Sequence, residues 1–560
     1  MSAFIPGIGE SDFRNFREAG FGYVDKSFFI SDMLADPALA LRFPRPRRFG
    51  KTINLSMLRY FLGKSKEDLS HLFEGLAVTR DAKAMQHFQR HPVISVSFKD
   101  VKADTLSGTM AGIHAQLMTA LIEHRYLLDD PRIDPTLARL IRRVLDGEVT
   151  HDELPYVFQW LSQALHAHHG ERVVILIDEY DTPVQSGYMY DFFDKIVLFF
   201  RSFFSACLKD NPALFKGVLT GILRVSKENM FSGLNHIMAY SIIDTNYSTV
   251  FGFTEDEVAA IIPPERLQDV RDWYNGYIFG GHVIYNPWSI LNYIREGLLK
   301  PYWVNSGSSD LIDYLAAKLG LGLTKVSEAL LQGEAIDMPI DSNIALRDID
   351  KNEDALWNFL LFAGYLKPVQ FELVAGRYYG KLAIPNREVK LVFEDMFRNW
   401  LYKAAPSRDY IDDLVQAIFA GDAETIQEIL EDMFLRILSY QDAAGRQPEK
   451  LYHGLILGLL VHLENEYDVR SNRESGRGRA DVLIRPKTPG NPGVVMEFKV
   501  LRRSETPEQA LVHAAKQVRD RKYAEDVRAS GASVVHEYAM VFDGKRAWVR
   551  KVEALLDAAP

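Results

Sequence analysis

The chain has 560 residues, 47% hydrophobic and 25% charged, with a formal net charge of −10. That length asks for about three domains, and the composition is ordinary for a soluble globular protein. The acidic balance excludes a wholly basic protein that coats nucleic acid, though not a local basic cleft, and the single cysteine, Cys207, excludes a disulfide scaffold or a cysteine-rich zinc cluster.

The N-terminus lacks a basic segment followed by an apolar run, so no signal peptide is expected, and the longest apolar runs, such as Leu455 to Val461, are too short to span a bilayer. A cytoplasmic location without membrane partners is the resulting expectation. Cys207, among Phe203, Phe204 and Leu208, reads as a buried core thiol.

Tyr23-Val24-Asp25-Lys26 leads into an amphipathic stretch from Phe28 to Leu34. Asp25 and Lys26 read as structural residues or as contacts on the adenine side of a nucleotide. A short apolar run, Ala38 to Phe43, then precedes Arg45-Pro46-Arg47-Arg48-Phe49-Gly50-Lys51-Thr52 and a helical pattern through Phe61. Strand, tight loop and helix are the setting of a phosphate-binding loop. Unpaired N–H groups at the helix start, with Arg48, Gly50 and the Lys51 charge, would cradle phosphates; the Thr52 hydroxyl would hold Mg²⁺. The full motif has glycine where Arg45 stands. Arginine tolerates positive φ poorly, so the loop is expected to take a different path, partly set by Pro46.

Pro92 to Phe98 alternates as a strand, helices are predicted over Leu106 to Leu145 and Leu154 to His169, and Arg172 to Asp178 reads as a buried parallel strand with acids at its end. Asp178 is positioned to hold Mg²⁺ through water, and Glu179 to polarise an attacking water. A helix from Asp191 to Leu208 precedes a strand, Leu214 to Gly221. Thr220 and Arg224 then fall where a γ-phosphate sensor and a positive charge would stand; a plain strand end with a solvated arginine is the alternative. Strands alternating with helices predict a parallel sheet with ligands at its carboxyl edge.

From about 250 to 430 the pattern is mostly helical and aromatic. Trp273 to Tyr277, Tyr285 to Ser289 and Tyr302-Trp303 suit a packed helical subdomain better than base stacking. Tyr410 to Phe434 reads as two helices parted near Gly421.

The last region runs in the order helix, strand, strand, helix. Period-2 alternation puts Glu497 and Lys499 on one strand face, and Asp481 enters the paired strand. Two carboxylates for a hard divalent cation beside a lysine form a minimal set for phosphodiester hydrolysis. Glu449 and Gln517 on flanking helices are supporting candidates. Arg470, Arg473, Arg477 and Arg479, with Lys516, Arg519, Arg521 and Lys522, would line a positive cleft or form a solvated basic face.

Tyr23-Val-Asp-Lys26, Arg45 through Thr52, Asp178-Glu-Tyr-Asp181, Tyr285-Asn-Pro-Trp-Ser289, Ile384-Pro-Asn386, Gly478-Arg-Ala-Asp481 and Glu497-Phe-Lys499 occur in order along nearly the whole chain. In these words the chain resembles the bacterial family that joins an AAA-ATPase-like domain to a C-terminal PD-(D/E)xK nuclease-like domain. Arginine commonly holds the first loop position in that family. The resemblance implies an α/β fold: a P-loop ATPase-like parallel sheet over 1–250, a helical lid or linker over 251–435 and a restriction-endonuclease-like domain over 436–560. It also implies ATP and Mg²⁺ as cofactors. Asp481, Glu497, Lys499 and Gln517 occupy the nuclease positions, and nucleic acid, DNA ahead of RNA, is the expected partner; an oligomer is compatible with it. The leading expectation is an ATP-regulated, metal-dependent nuclease. The alternative is a nucleotide-dependent switch or scaffold whose last domain binds nucleic acid or protein without cutting.

Overall fold

The computed structural model describes residues 4–222, 230–231, 236–306, 329–331, 333–341, 346–349, 352–404, 409–437, 452, 456, 460, 463, 466–471, 474–475, 478–479, 481–502 and 505–557. The chain forms two compact units. Residues 1–311 with 335–389 make the first, and 312–334 with 390–560 the second, so the stretch 251–435 is divided between them.

Five parallel strands form the sheet of the first unit: β1 (Ala40–Pro44), β2 (Val93–Ser97), β3 (Val173–Asp178), β4 (Leu214–Gly221) and β5 (Ile237–Ala239). Their spatial order is β2-β3-β4-β1-β5. Every residue of β1 and β3 is buried, as strands covered on both faces require. The register pairs Phe43 with Thr220 and Ile177 with Leu219, so the ends of β1, β3 and β4 meet along one carboxyl edge.

The expected connecting helices form as Leu106–Ile122, Pro135–Leu145 and Val157–His169. The helix expected over Asp191 to Leu208 is Phe193–Phe204, followed by a wider turn over Ser205–Lys209, and Cys207 lies buried within that turn.

The aromatic stretch contains helices, as expected, and also two small antiparallel sheets. β6 (Phe253–Thr254), β7 (Tyr277–Phe279) and β8 (His282–Tyr285) make one; β9 (Ile336–Ile340), β10 (Lys367–Val374) and β11 (Arg377–Ala383) make the other. Tyr274, Tyr285 and Tyr293 pack into a core with Phe253, Val258 and Ile290. Burial on that scale is the work of a packed subdomain.

In the second unit, β12 (Tyr467–Ser471), β15 (Val482–Pro486), β16 (Gly493–Val500), β17 (Val535–Asp543) and β18 (Arg546–Lys551) form a mixed sheet, with only β16 and β17 parallel. A short hairpin, β13 (Glu474–Ser475) with β14 (Gly478–Arg479), lies between β12 and β15 in sequence. Val494, Met496 and Phe498 join a core with helices Asp409–Ala420 and Ala423–Ile437. Val495 instead joins Ala510, Leu511, Ala514, Ala515 and Val518 of helix Pro507–Arg521. The sheet is thus covered on both faces, and residues of odd number in β16 belong to the face that meets Pro507–Arg521. Among the described residues no helix is long and apolar enough to cross a membrane.

Candidate functional sites

In the first unit, helix Lys51–Leu62 starts directly after the loop, with Gly50 in the left-handed region at φ 82°. The second left-handed residue is Arg48, at φ 64°, while Arg45 takes no positive φ. The loop thus follows a path that needs no glycine at the first motif position. Arg45 turns inward instead. Its guanidinium is fully buried and donates to the carbonyls of Pro44 (3.0 Å), Tyr240 (2.6 Å) and Tyr247 (3.2 Å). It also sits over the rings of Phe251 and Phe279, at 5.3 and 5.5 Å. Burial draws its pKa down to about 9, opposed by the charge of Asp244.

The remaining loop residues converge. Lys51 is buried, and its Nζ donates to the Arg45 and Pro46 carbonyls at 3.1 and 2.9 Å. Burial lowers its pKa, while the charges of Glu179, Asp178 and Asp181 act the other way. Asp178, at the end of β3, accepts from the Thr52 hydroxyl at 2.7 Å and from the Thr220 hydroxyl at 2.5 Å. Burial raises the pKa of this carboxyl and the neighbouring Glu179 charge adds to the rise; the two hydroxyls offset part of it. Glu179 turns the chain at φ 49° and accepts from Thr182 at 3.3 Å. Arg224 lies outside the described residues.

A cavity of about 500 Å³ opens over this constellation. Arg47, Arg48, Gly50, Lys51, Thr52 and Glu179 line one end. The chain's early residues, from Gly7 to Ser11 with Phe16 and Val24, also line it, as do Lys99, Asp100, Lys102 and Trp288. Lys26 borders it too, but its ammonium is held by both oxygens of Glu257 at 2.7 Å and by the Thr249 carbonyl. Asp25 is occupied by the backbone N–H groups of Ser27 and Ala77. Of the two readings of this pair, these bonds favour the structural one.

Residues that sequence reasoning assigned to mere packing brace the loop. Asn286 and Trp303 both donate to the Arg47 carbonyl, at 3.3 and 3.1 Å. The Arg48 guanidinium lies 4.2 Å from the Trp288 ring centre and donates to the Ser306 carbonyl at 2.6 Å. The Tyr-Asn-Pro-Trp-Ser word was the available signal, although nothing local says what it touches.

In the second unit, Asp481 sits just before β15, and its Oδ2 accepts the Phe498 N–H at 2.7 Å. Glu497 is 1% exposed. Its Oε1 accepts from Lys499 Nζ at 2.7 Å, while Oε2 is buried without a hydrogen-bond partner. Burial, reinforced by the charge of Asp481 and opposed by Lys499, raises the Glu497 pKa to about 7. Gln517 reaches the same neighbourhood through Tyr523, a residue the sequence reading passed over. The Gln517 side chain bonds the buried Tyr523 hydroxyl, and the charges of Glu497 and Asp481 act on that hydroxyl. Lys522, at φ 57°, makes the turn that carries the chain from Gln517's helix into Tyr523.

Glu449, Arg473 and Arg477 lie outside the described residues, as does the Arg479 side chain. Arg470, expected on a positive cleft or a solvated basic face, is paired with Asp468 at 2.9 Å, and Arg485 bonds the same carboxylate. Lys516, Arg519, Arg521 and Lys522 are exposed, and Lys522 pairs with Glu525. Among the described residues no three His, Cys, Asp or Glu side chains gather as a metal cluster; the acids here are two.

Fold and geometry thus define two classes of domain: a phosphate-loop α/β unit, and a mixed-sheet unit carrying a buried Glu497 beside a half-buried Asp481 and a lysine. Comparison with known proteins agrees. Residues 7–231 match the family described as "Predicted AAA-ATPase", and residues 447–552 match the PD-(D/E)XK nuclease superfamily. The chain therefore carries an AAA-ATPase-like domain followed by a PD-(D/E)XK nuclease superfamily domain. Among similar proteins is the "Uncharacterized protein in vnfD 5′ region" of Azotobacter chroococcum mcd 1, 28% identical over 539 residues and covered to 94% in both chains.

Proposed function

We propose that the protein is an ATP-regulated, divalent-cation-dependent nuclease acting on DNA. The observation that carries this reading is the Glu497 carboxylate: a buried acid with one oxygen bonded to Lys499 and the other unpartnered, beside Asp481. An orphaned buried oxygen costs about 1–3 kcal/mol, more if charged, and a site that admits a cation removes that cost. The donor set fits a hard cation such as Mg²⁺, which Asp481 and Glu497 would hold. When bound, the cation supplies Lewis acidity toward a scissile phosphate and makes a nearby water more acidic. Lys499 supplies a positive charge to the pentavalent phosphate, and Gln517 with Tyr523 holds the wall facing the acids. A water oxygen bonds to phosphorus as one ester bond breaks, and the proton that the water gives up ends, through solvent, on the departing oxygen.

In the first unit, the cavity suits a nucleoside triphosphate in size and chemistry. Lys51 and the N–H groups after Gly50 would take the phosphates, Thr52 and Asp178 would hold Mg²⁺, and Glu179 would orient water. Arg48 would face the phosphates from its perch on Trp288, and Thr220 would fix Asp178. Lys51 now caps carbonyls of its own loop, so phosphate offers its charge a stronger partner.

The test is cleavage of linear and circular DNA by the full-length chain with Mg²⁺, with and without ATP. Cleavage that ATP alters, and that chelator or Asp481→Ala abolishes, is expected. Equal cleavage by Asp481→Ala would refute the site. Retained metal-dependent DNA binding without cleavage in the wild type would replace catalysis by a binding role.

A further inference from the structure

The segment from Asn286 to Ser306 holds the phosphate loop by its Arg47 carbonyl and its Arg48 side chain, and one carboxylate holds that segment from behind. Glu388 is 0% exposed. Its Oε2 accepts the Ser289 hydroxyl at 2.8 Å, and its Oε1 accepts the Trp303 N–H at 2.6 Å. Trp303 then reaches Arg47 through its indole nitrogen at 3.1 Å. Ser289 N–H donates to the Asn286 side-chain Oδ1 at 3.2 Å, orienting the amide whose Nδ2 donates to the Arg47 carbonyl. Two relays thus run from one acid to one loop carbonyl.

Both donors to Glu388 are neutral. A buried carboxylate so placed is an expensive way to fill space, since an apolar side chain of similar volume would pack at less cost. The expense has a purpose if the acid fixes something that packing alone would leave loose. We propose that Glu388 is a positioning residue for nucleotide binding: through Trp303 and Asn286 it sets where the loop presents Arg47 and Arg48. The inference rests on the reading that this cavity takes ATP.

Binding couplings are reciprocal, so ATP on the loop must stiffen the Glu388 end as well. Glu388 is the second residue of helix Arg387–Ala404, whose residues from Lys390 onward belong to the second unit. The relay therefore ends on a helix within which the chain makes one of its three passages from one unit to the other.

Calorimetric titration of Mg-ATP into the full-length protein tests this, using wild type, Lys51→Ala, Glu388→Gln, Trp303→Phe and the Glu388→Gln/Trp303→Phe double variant. Trp303→Phe removes only the indole donor to Arg47 and keeps the backbone N–H on Glu388. Glu388→Gln and Trp303→Phe are each expected to weaken ATP by up to about tenfold, the scale of one lost hydrogen bond, whereas Lys51→Ala should lose far more. The double variant should lose much less than the product of the two, because both act on one relay. A wild type that binds ATP alongside a Glu388→Gln that binds equally well would overturn the proposal, as would losses that simply multiply. A wild type that binds no ATP, indistinguishable from Lys51→Ala, would overturn the reading of the cavity itself. Should Glu388→Gln fail to fold, amide exchange on the wild type decides. Added ATP is expected to slow exchange over residues 286–306 and 386–392, and unchanged exchange there would refute the relay.

Discussion

Replacing Arg45 by glycine restores the full phosphate-loop motif on paper, and the structure predicts that it damages the protein. The guanidinium satisfies three backbone carbonyls, at 2.6 to 3.2 Å, and packs against two phenylalanine rings. Its removal leaves those carbonyls without their donor at about 1–3 kcal/mol each, and opens a void the size of a long side chain. Glycine adds about 0.5–1 kcal/mol of backbone entropy cost. Partial relaxation and water entry return some of this, so a loss of about 4–6 kcal/mol is expected, a large share of the ~5–15 kcal/mol that holds a domain together. Arg45→Lys should recover only part of it, because one ammonium cannot reproduce a planar fork over two rings. Differential scanning calorimetry on the full chain, following the transition that ATP shifts, measures the effect. A loss under about 1 kcal/mol with ATP affinity kept or improved would refute the argument that Arg45 is a core anchor.

Lys51→Ala should reduce ATP affinity by about a hundredfold or more, read by calorimetry, because the buried ammonium proposed to pair with the phosphates is lost. Burial raises the Glu388 pKa from its ordinary 4.5 to about 7, against the pull of the Trp303 and Ser289 hydrogen bonds. The folded state therefore binds the extra proton between those values, and stability should fall as pH rises from about 4.5 to 7, by at most about 3 kcal/mol. Glu388→Gln should flatten that slope in melting temperatures taken from pH 5 to 7.5; an unchanged slope would remove Glu388 from the account. Glu497→Gln takes a buried charge away from Asp481, so in chelator the variant should melt a few degrees above wild type. Mg²⁺ or Mn²⁺ should raise the wild-type melting point by mass action and leave the variant unmoved.

The chemistry-bearing words were legible because each is written within a few residues. Gly50-Lys51-Thr52 before an amphipathic helix, five apolar residues ending at Asp178, and Glu497 two places before Lys499 follow from strand and helix periodicity. Periodicity is set by the backbone, so a short window carries it. Cys207 was likewise legible from its apolar neighbours. Tertiary structure alone decided what brings those words together. Only the sheet order places β4 between β1 and β3, so that Thr220 and Thr52 share Asp178 from opposite sides in sequence. The bond from Arg48 to Ser306 spans 258 positions, and that from Trp303 to Glu388 spans 85. Arg45, a motif violation in the one-dimensional reading, becomes a core anchor because carbonyls 195 and 202 positions away supply its acceptors. A side chain's local context sets its conformational preferences, whereas its burial and its bonding partners belong to whichever distant segments the fold brings against it.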